Sequence, residues 1–272
     1  MHGIGNDYVY FDCFEEEIPN PEETAIRLSD RRFSIGGDGI ILVCKSKIAD
    51  AKMRMFNADG SEGKMCGNGI RCVAKFLYDV KGIRKSPLTV ETLSGIKTIS
   101  VTEENGRFAR AAVDMGRAEL SPAKIPARFS GEAVIGAPLE VNGSEYRVTC
   151  VSMGNPHCVT FMPDPYAIDL ERLGPKFENH EVFPERVNTE FVRIIGEREI
   201  LMRVWERGSG ETWACGTGAC AAAVASVLNG YCKKGEEILV HLRGGDLTVT
   251  YTDETVIMTG PATLAFTGEA EI

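Results

Sequence analysis

Two cysteines of this sequence stand in nearly identical surroundings, Cys66 in MCGNG and Cys215 in ACGTG. A cysteine followed by Gly-x-Gly and an apolar run reads as the start of a helix, where glycine lets backbone N–H groups approach a ligand closely. That position changes the thiol. A free cysteine titrates near ~8.5, but at a helix N-terminus the value falls to roughly 3.5 to 7.5. A thiolate base is therefore expected without a metal or an organic cofactor. The same N–H groups suit a carboxylate, and they stabilise the charge that develops when its α-proton leaves. With one substrate carbon between two such sulfurs, a thiolate removes a proton from one face while a thiol delivers one to the other. The chemistry is inversion at a carbon beside a carboxylate.

The surroundings match because the chain is duplicated. At the one constant offset that carries Cys66 onto Cys215, Gly5 and Asn6 fall on Gly154 and Asn155, Arg54 on Arg203, Phe56 on Trp205 and Glu62 on Glu211. Gly67 and Gly69 fall on Gly216 and Gly218, and Leu93 and Gly95 on Leu242 and Gly244. A shared register separates these matches from chance. The period is far longer than the ~20 to 50 residues of a solenoid unit, so two homologous domains are expected.

Each half reads as strands, one apolar helix, then more strands. In the first half, Ile40 to Val43, Met53 to Phe56, Leu88 to Thr92 and Thr98 to Val101 alternate or are β-branched. After Cys66, the residues Ile70, Val73, Ala74 and Leu77 occupy one helical face and Gly82 offers a stop. From Gly216 to Asn229 the second helix is apolar nearly all round, which predicts a core element wrapped by sheet. The expected fold is α+β: two pseudo-symmetric domains, each a mostly antiparallel β-sheet curled around a central α-helix. The domains are expected at 1–117, joined by 262–272 as a returning strand, and at 118–261. Short strand-like stretches, Ala118 to Leu120 and Thr263 to Phe266, follow the repeats, and Ser121 to Pro126 reads as the link.

The 272 residues carry 43% hydrophobic and 25% charged side chains, as an ordinary globular protein does. A net charge of −9 without a Lys/Arg cluster argues against nucleic acid. The longest apolar run, Ala219 to Leu228, is too short to span a bilayer, and the N-terminus lacks the pattern of a secretory signal, so a cytoplasmic location is expected. Nine cysteines without CxxC spacing fit neither a disulfide framework nor a zinc site. Cys13, Cys44, Cys72, Cys150, Cys158, Cys220 and Cys232 have no match across the repeat and read as small buried hydrophobes.

The segments HGIGNDY, FNADGSEGKMCGNGIRC, VSMGNPHC, RVNTEF and ERGSGETWACGTGAC together resemble diaminopimelate epimerase along nearly the whole chain. The resemblance implies a cofactor-independent, metal-free isomerase that interconverts LL- and meso-diaminopimelate for lysine and cell-wall precursor synthesis, as a cytoplasmic homodimer. It implies that Cys66 and Cys215 exchange the roles of acid and base. It assigns the reacting carboxylate to the N–H groups of Gly67, Asn68, Gly216 and Thr217. It assigns the distal end to Asn6, Asn57, Asn155, Asn188, Glu206 and Arg207, with Arg207 suited to a carboxylate and Glu206 to an ammonium. His157 reads as an orienting residue, and Glu62 and Glu211 as charges on the loop before each helix. The chain departs from the family at Gly39, beside Asp38 in GGDGI, where many relatives carry Gln, and at its start, where relatives carry a few residues before HG.

Proline racemase and hydroxyproline epimerase also use two cysteines, but they follow the first Cys-Gly with His where this chain has Asn68. A cyclic imino acid leaves Glu206 without an ammonium. A thiol redox or metal-binding protein fits the cysteine spacing poorly. A pyridoxal-phosphate racemase leaves the duplication unexplained.

Overall fold

A computed structural model describes the whole chain, Met1–Ile272. The chain forms two compact units, Met1–Asp114 with Thr259–Ile272 and Met115–Met258. The first unit runs β1 (His2–Gly3), β2 (Asn6–Asp7), β3 (Val9–Cys13), α1 (Pro21–Ser29), β4 (Gly39–Cys44), β5 (Ala51–Asn57) and β6 (Glu62–Gly63). It continues with α2 (Gly67–Lys75), a π turn at Phe76–Val80, β7 (Leu88–Thr92), β8 (Gly95–Glu104) and β9 (Arg107–Asp114). Along β5, Ala51, Met53 and Met55 are buried while Lys52 and Arg54 are half-buried, the period of two that a one-sided strand requires. β4 is covered on both faces, and its run of Ile40, Ile41, Leu42 and Val43 is buried throughout.

The second unit runs β10 (Ala137–Val141), β11 (Ser144–Ser152), β12 (Pro156–Phe161), α3 (Leu170–Glu178), β13 (Asn188–Gly196), β14 (Glu199–Glu206) and β15 (Gly210–Thr212). Then come α4 (Gly216–Leu228), β16 (Glu237–Leu242), β17 (Gly245–Tyr251) and β18 (Val256–Gly260), whose last two residues, Thr259 and Gly260, belong to the first unit. α4 packs against β11, β12, β13, β14, β16 and β17, and its residues from Gly218 to Ser226 are buried, as an all-round apolar helix demands. The fold class is α+β, with sheet dominating each unit.

The duplication extends beyond the motifs. β3, α1, β4, β5, α2 and β7 recur in order as β12, α3, β13, β14, α4 and β16. The strand pairs joined through a helix are parallel: β3 with β4, β5 with β7, β12 with β13 and β14 with β16. A crossover through a helix returns the chain to the same end of the sheet, whereas a hairpin reverses it. The remaining pairs in each unit are antiparallel.

The expectation of one helix per half is corrected to two. α1 and α3 are each as long as α2, but α1 opens on Pro21 and α3 holds Pro175 inside it, although Leu170, Gly174 and Phe177 fall on one buried face. Their signals are local: Pro21 at the start of α1 with Glu22 and Glu23 in its first turn, and Asp169 capping the Arg172 N–H at the start of α3. Each covers a second core, and the matched aromatics Phe56 and Trp205 both lie in those cores. The stretches Ala118 to Leu120 and Thr263 to Phe266 form single bridges, Glu119 to Ser152 and Thr263 to His2, rather than strands. Ser121 to Pro126 lies within the second unit, where Ile125 is fully buried. No helix is long and apolar enough to cross a membrane.

Candidate active site

In the first unit β5 and β6 form a hairpin locked by Arg54, whose Nε donates to Glu62 Oε1 at 2.8 Å. The hairpin delivers the chain to Cys66, the extended residue that caps α2 (φ −125°, ψ 120°). Its sulfur accepts the Gly69 N–H at 3.3 Å and donates to Asn6 Oδ1 at 3.3 Å. Gly67 and Asn68 follow as the first helical residues, ahead of the first helical bond from Ile70 N–H to Cys66 O. Arg71, fully buried, donates to Asn68 Oδ1, Gly67 O and Pro261 O, which fixes this turn. An added Cβ at Gly69 would lie 2.7 Å from Ile41 Cδ1, so the end of that side chain would have to shift to admit one.

The second unit repeats the construction. Arg203 clamps Glu211 with both arms, Nε to Oε1 at 2.8 Å and Nη2 to Oε2 at 2.9 Å. Cys215 caps α4 in the same extended conformation (φ −114°, ψ 106°), and its sulfur accepts the Gly218 N–H at 3.3 Å. Thr217 Oγ1 lies 3.5 Å from that sulfur and accepts Asn155 Nδ2–H at 3.3 Å. Asn155 Oδ1 meets His157 Nε2 at 3.0 Å, and His157 Nδ1 meets Glu190 Oε1 at 2.7 Å. His157 and Glu190 are both fully buried, and Glu190 Oε2 has no hydrogen-bond partner. Burial accordingly pushes the Glu190 carboxyl up, against the pull of His157.

The electrostatics of Cys215 correct the sequence reading. Burial, then the carboxylates of Glu206 and Glu190, push its thiol well above the ordinary cysteine range. Thr217 and the Gly218 N–H pull it down but are outweighed. Burial pushes the Glu206 carboxyl up, while hydrogen bonds from Thr212 Oγ1 and from the Cys215 thiol pull it back. Helix position alone does not set this thiol, because desolvation and two carboxylates act in the opposite sense.

The first unit gathers Asn6, Cys66, Gly67 and Asn68. Asn57, at the end of β5, turns its Nδ2 to Ser61 Oγ at 3.0 Å. The second unit gathers Asn155, Glu206, Cys215, Gly216 and Thr217. Asn188 is buried and bridges backbone, donating to Pro156 O at 2.8 Å and accepting the Arg207 N–H at 2.9 Å. Arg207 Nη1 donates to Glu185 O at 2.9 Å. Gly39 has φ +154°, and a Cβ there would sit 2.0 Å from Phe56 O, so this backbone excludes the glutamine of its relatives. Sequence reasoning missed Glu190. The available signal was a carboxylate inside the apolar strand NTEFVRII, where an unpaired charge is costly.

The sequence matches the profile of the family described as diaminopimelate epimerase over residues 1–121 and 149–265. It is 52% identical over 281 residues to diaminopimelate epimerase of Agathobacter rectalis, covering 100% of this chain and 98% of that protein. It is 50% identical to that of Acetivibrio thermocellus, covering 100% of this chain and 97% of the relative. Among solved structures, a hydroxyproline epimerase from Agrobacterium vitis superposes with a TM-score of 0.67 at 15% identity, covering 96% of this chain and 87% of that one. At that identity the likeness speaks for the fold. The full-length matches near half identity speak for the family: this chain belongs to the diaminopimelate epimerase family.

Proposed function

We propose that this protein interconverts LL- and meso-diaminopimelate by proton transfer between Cys66, Cys215 and the α-carbon, without a cofactor, within lysine and cell-wall precursor synthesis. The observation that carries the reading is the duplicated helix cap: each unit presents one cysteine sulfur at a helix N-terminus, accepting a glycine N–H at 3.3 Å. Inversion needs one proton acceptor and one proton donor on opposite faces of the carbon, and the duplication supplies two equivalent groups. The first-turn N–H groups of Gly67, Asn68, Gly216 and Thr217 take the reacting carboxylate, whose charge grows as the α-proton leaves. Asn6, Asn57, Asn155, Asn188, Glu206 and Arg207 read the remaining polar groups of the substrate.

The raised Cys215 thiol fits this reading as a resting proton donor. A substrate ammonium seated against Glu206 offsets that carboxylate, which lowers the cost of a thiolate at Cys215 and lets the same sulfur serve as base in the reverse direction. The protein acts as a cytoplasmic homodimer, which size-exclusion chromatography checks. The test of function is incubation with LL-diaminopimelate and, separately, L-proline in deuterated water. Loss of the α-proton signal from diaminopimelate alone supports the reading; exchange of proline alone, or of neither, overturns it.

A further inference from the structure

Asn6 and Asn155 occupy equivalent positions of the duplicated chain, yet their amides are held differently. Asn155 Oδ1 is engaged by His157 Nε2 at 3.0 Å, and its Nδ2 faces Thr217. Asn6 turns its Nδ2 to Asp38 Oδ2 at 2.6 Å and its Oδ1 to the Cys66 sulfur at 3.3 Å. A carboxylate only accepts hydrogen bonds, so the atom of Asn6 that meets it must be the NH2 group, and the atom left for the sulfur must be the carbonyl oxygen. A carbonyl oxygen can pair with a thiol but not with a thiolate. Where Asp38 stands in the first unit, the second has Val187, so the device has no counterpart there.

Asp38 is held as an acceptor on every side. Arg31 Nη2 donates to its Oδ1 at 2.9 Å, the Asp7 N–H to its Oδ2 at 3.2 Å, and its backbone is tied through Asp38 N–H to Asp7 O and Ala58 N–H to Asp38 O. Arg31 also grips Asp7 with both arms, at 2.9 and 2.6 Å, and so bridges the two carboxylates. Burial, then the Asp7 carboxylate, push the Asp38 carboxyl up, while Asn6 and Arg31 pull it back; the Cys66 sulfur itself is also faced by Tyr10 and by the Gly69 N–H.

Resting on the assignment of Cys66 to proton transfer, we propose that Asp38, braced by Arg31, is a positioning residue that fixes the Asn6 amide so that Cys66, like Cys215, stays a protonated thiol in the substrate-free chain, the base forming only once substrate is seated. Releasing the amide lets Asn6 turn its NH2 to the sulfur, which exchanges an acceptor that favours the thiol for a donor that favours the thiolate.

The test is the pH dependence of iodoacetamide alkylation at Cys66, followed by peptide mass in the full chain without substrate. This readout does not depend on diaminopimelate turnover, so it can fail while the function stands, or hold while the function falls. In Asp38→Ala, which removes the acceptor of the Asn6 amide, the Cys66 midpoint should fall by about one pH unit, and that fall should vanish in an Asn6→Ala background, where no amide is left to turn. A residue that merely supports the loop would lower the melting temperature and turnover without moving the midpoint. An unchanged or raised midpoint in Asp38→Ala, or a fall that persists in the Asn6→Ala background, overturns the proposal, and Asp38→Val, the residue of the matching position in the second unit, decides it by the same criterion if Asp38→Ala does not fold.

Discussion

Removing Glu211 and removing Glu62 delete the same ion pair from the two copies of one hairpin, and the structure predicts unequal results. The Arg203–Glu211 side chains are only 13% and 9% exposed, whereas Arg54–Glu62 are 34% and 29% exposed. Breaking a buried pair by removing one partner costs about 3 to 5 kcal/mol, because a charge is left without compensation. Arg203 keeps Pro165 O and Ile168 O as acceptors for its Nη1, so the expected loss for Glu211→Gln is about 2 to 3 kcal/mol. The more solvated Glu62→Gln should lose about 0.5 to 1 kcal/mol. Urea denaturation with the slope monitored separates these values. The pH dependence adds a sign: Arg203 holds the Glu211 carboxyl below the ordinary glutamate range. Its stabilisation is therefore complete above the unfolded carboxylate value of about 4.3 and is lost as pH falls through the lower folded value, so wild type and Glu211→Gln should converge in acid. Equal losses for the two variants at neutral pH would refute the burial argument.

Glu206→Gln removes one of the two carboxylates that raise the Cys215 thiol, so Cys215 should be alkylated at lower pH than in wild type; an unchanged midpoint would show that burial alone sets this thiol. Gly218→Ala places a Cβ 2.7 Å from Glu190 Oε1 and 3.1 Å from Cys215 Sγ, which should cost about 1 to 3 kcal/mol of stability and displace the sulfur, lowering kcat; wild-type turnover would contradict the tight fit. Arg207→Ala should weaken diaminopimelate by roughly 2 kcal/mol or more through loss of a charge-assisted pair, read as a raised KM, and an unchanged KM would remove Arg207 from the substrate site.

The sequence made the duplication legible because the residues that form the helix cap, Cys66 with Gly69 and Cys215 with Gly218, repeat in register and an added Cβ at either glycine would be crowded. Strands of β4, β5 and β7 were legible from alternation or from continuous apolar runs. The short helices α1 and α3 were not, since Pro21 and Pro175 read as breaks and their local start signals also suit loops, although α3 carries apolar residues at helical spacing, Leu170, Leu173 and Phe177. The cysteines were legible as a matched pair, but the state of Cys215 was not. It depends on Glu206 and Glu190, and Glu190 comes from a strand distant in sequence and brought near only by folding. Likewise Asp38 stood in the sequence only as the neighbour of the unusual Gly39 in GGDGI, while its grip on Asn6 depends on the bend that returns the chain to β2.

The central claim, that one cysteine from each half carries a proton to or from the same carbon, is tested most directly by Cys66→Ala and Cys215→Ala, each assayed from both LL- and meso-diaminopimelate. Circular dichroism confirms folding of each variant, and NMR follows the appearance of the opposite isomer. The account predicts that each substitution abolishes interconversion in both directions, while diaminopimelate binding survives better than turnover. Retention of more than a few per cent of wild-type epimerisation by either variant would contradict it.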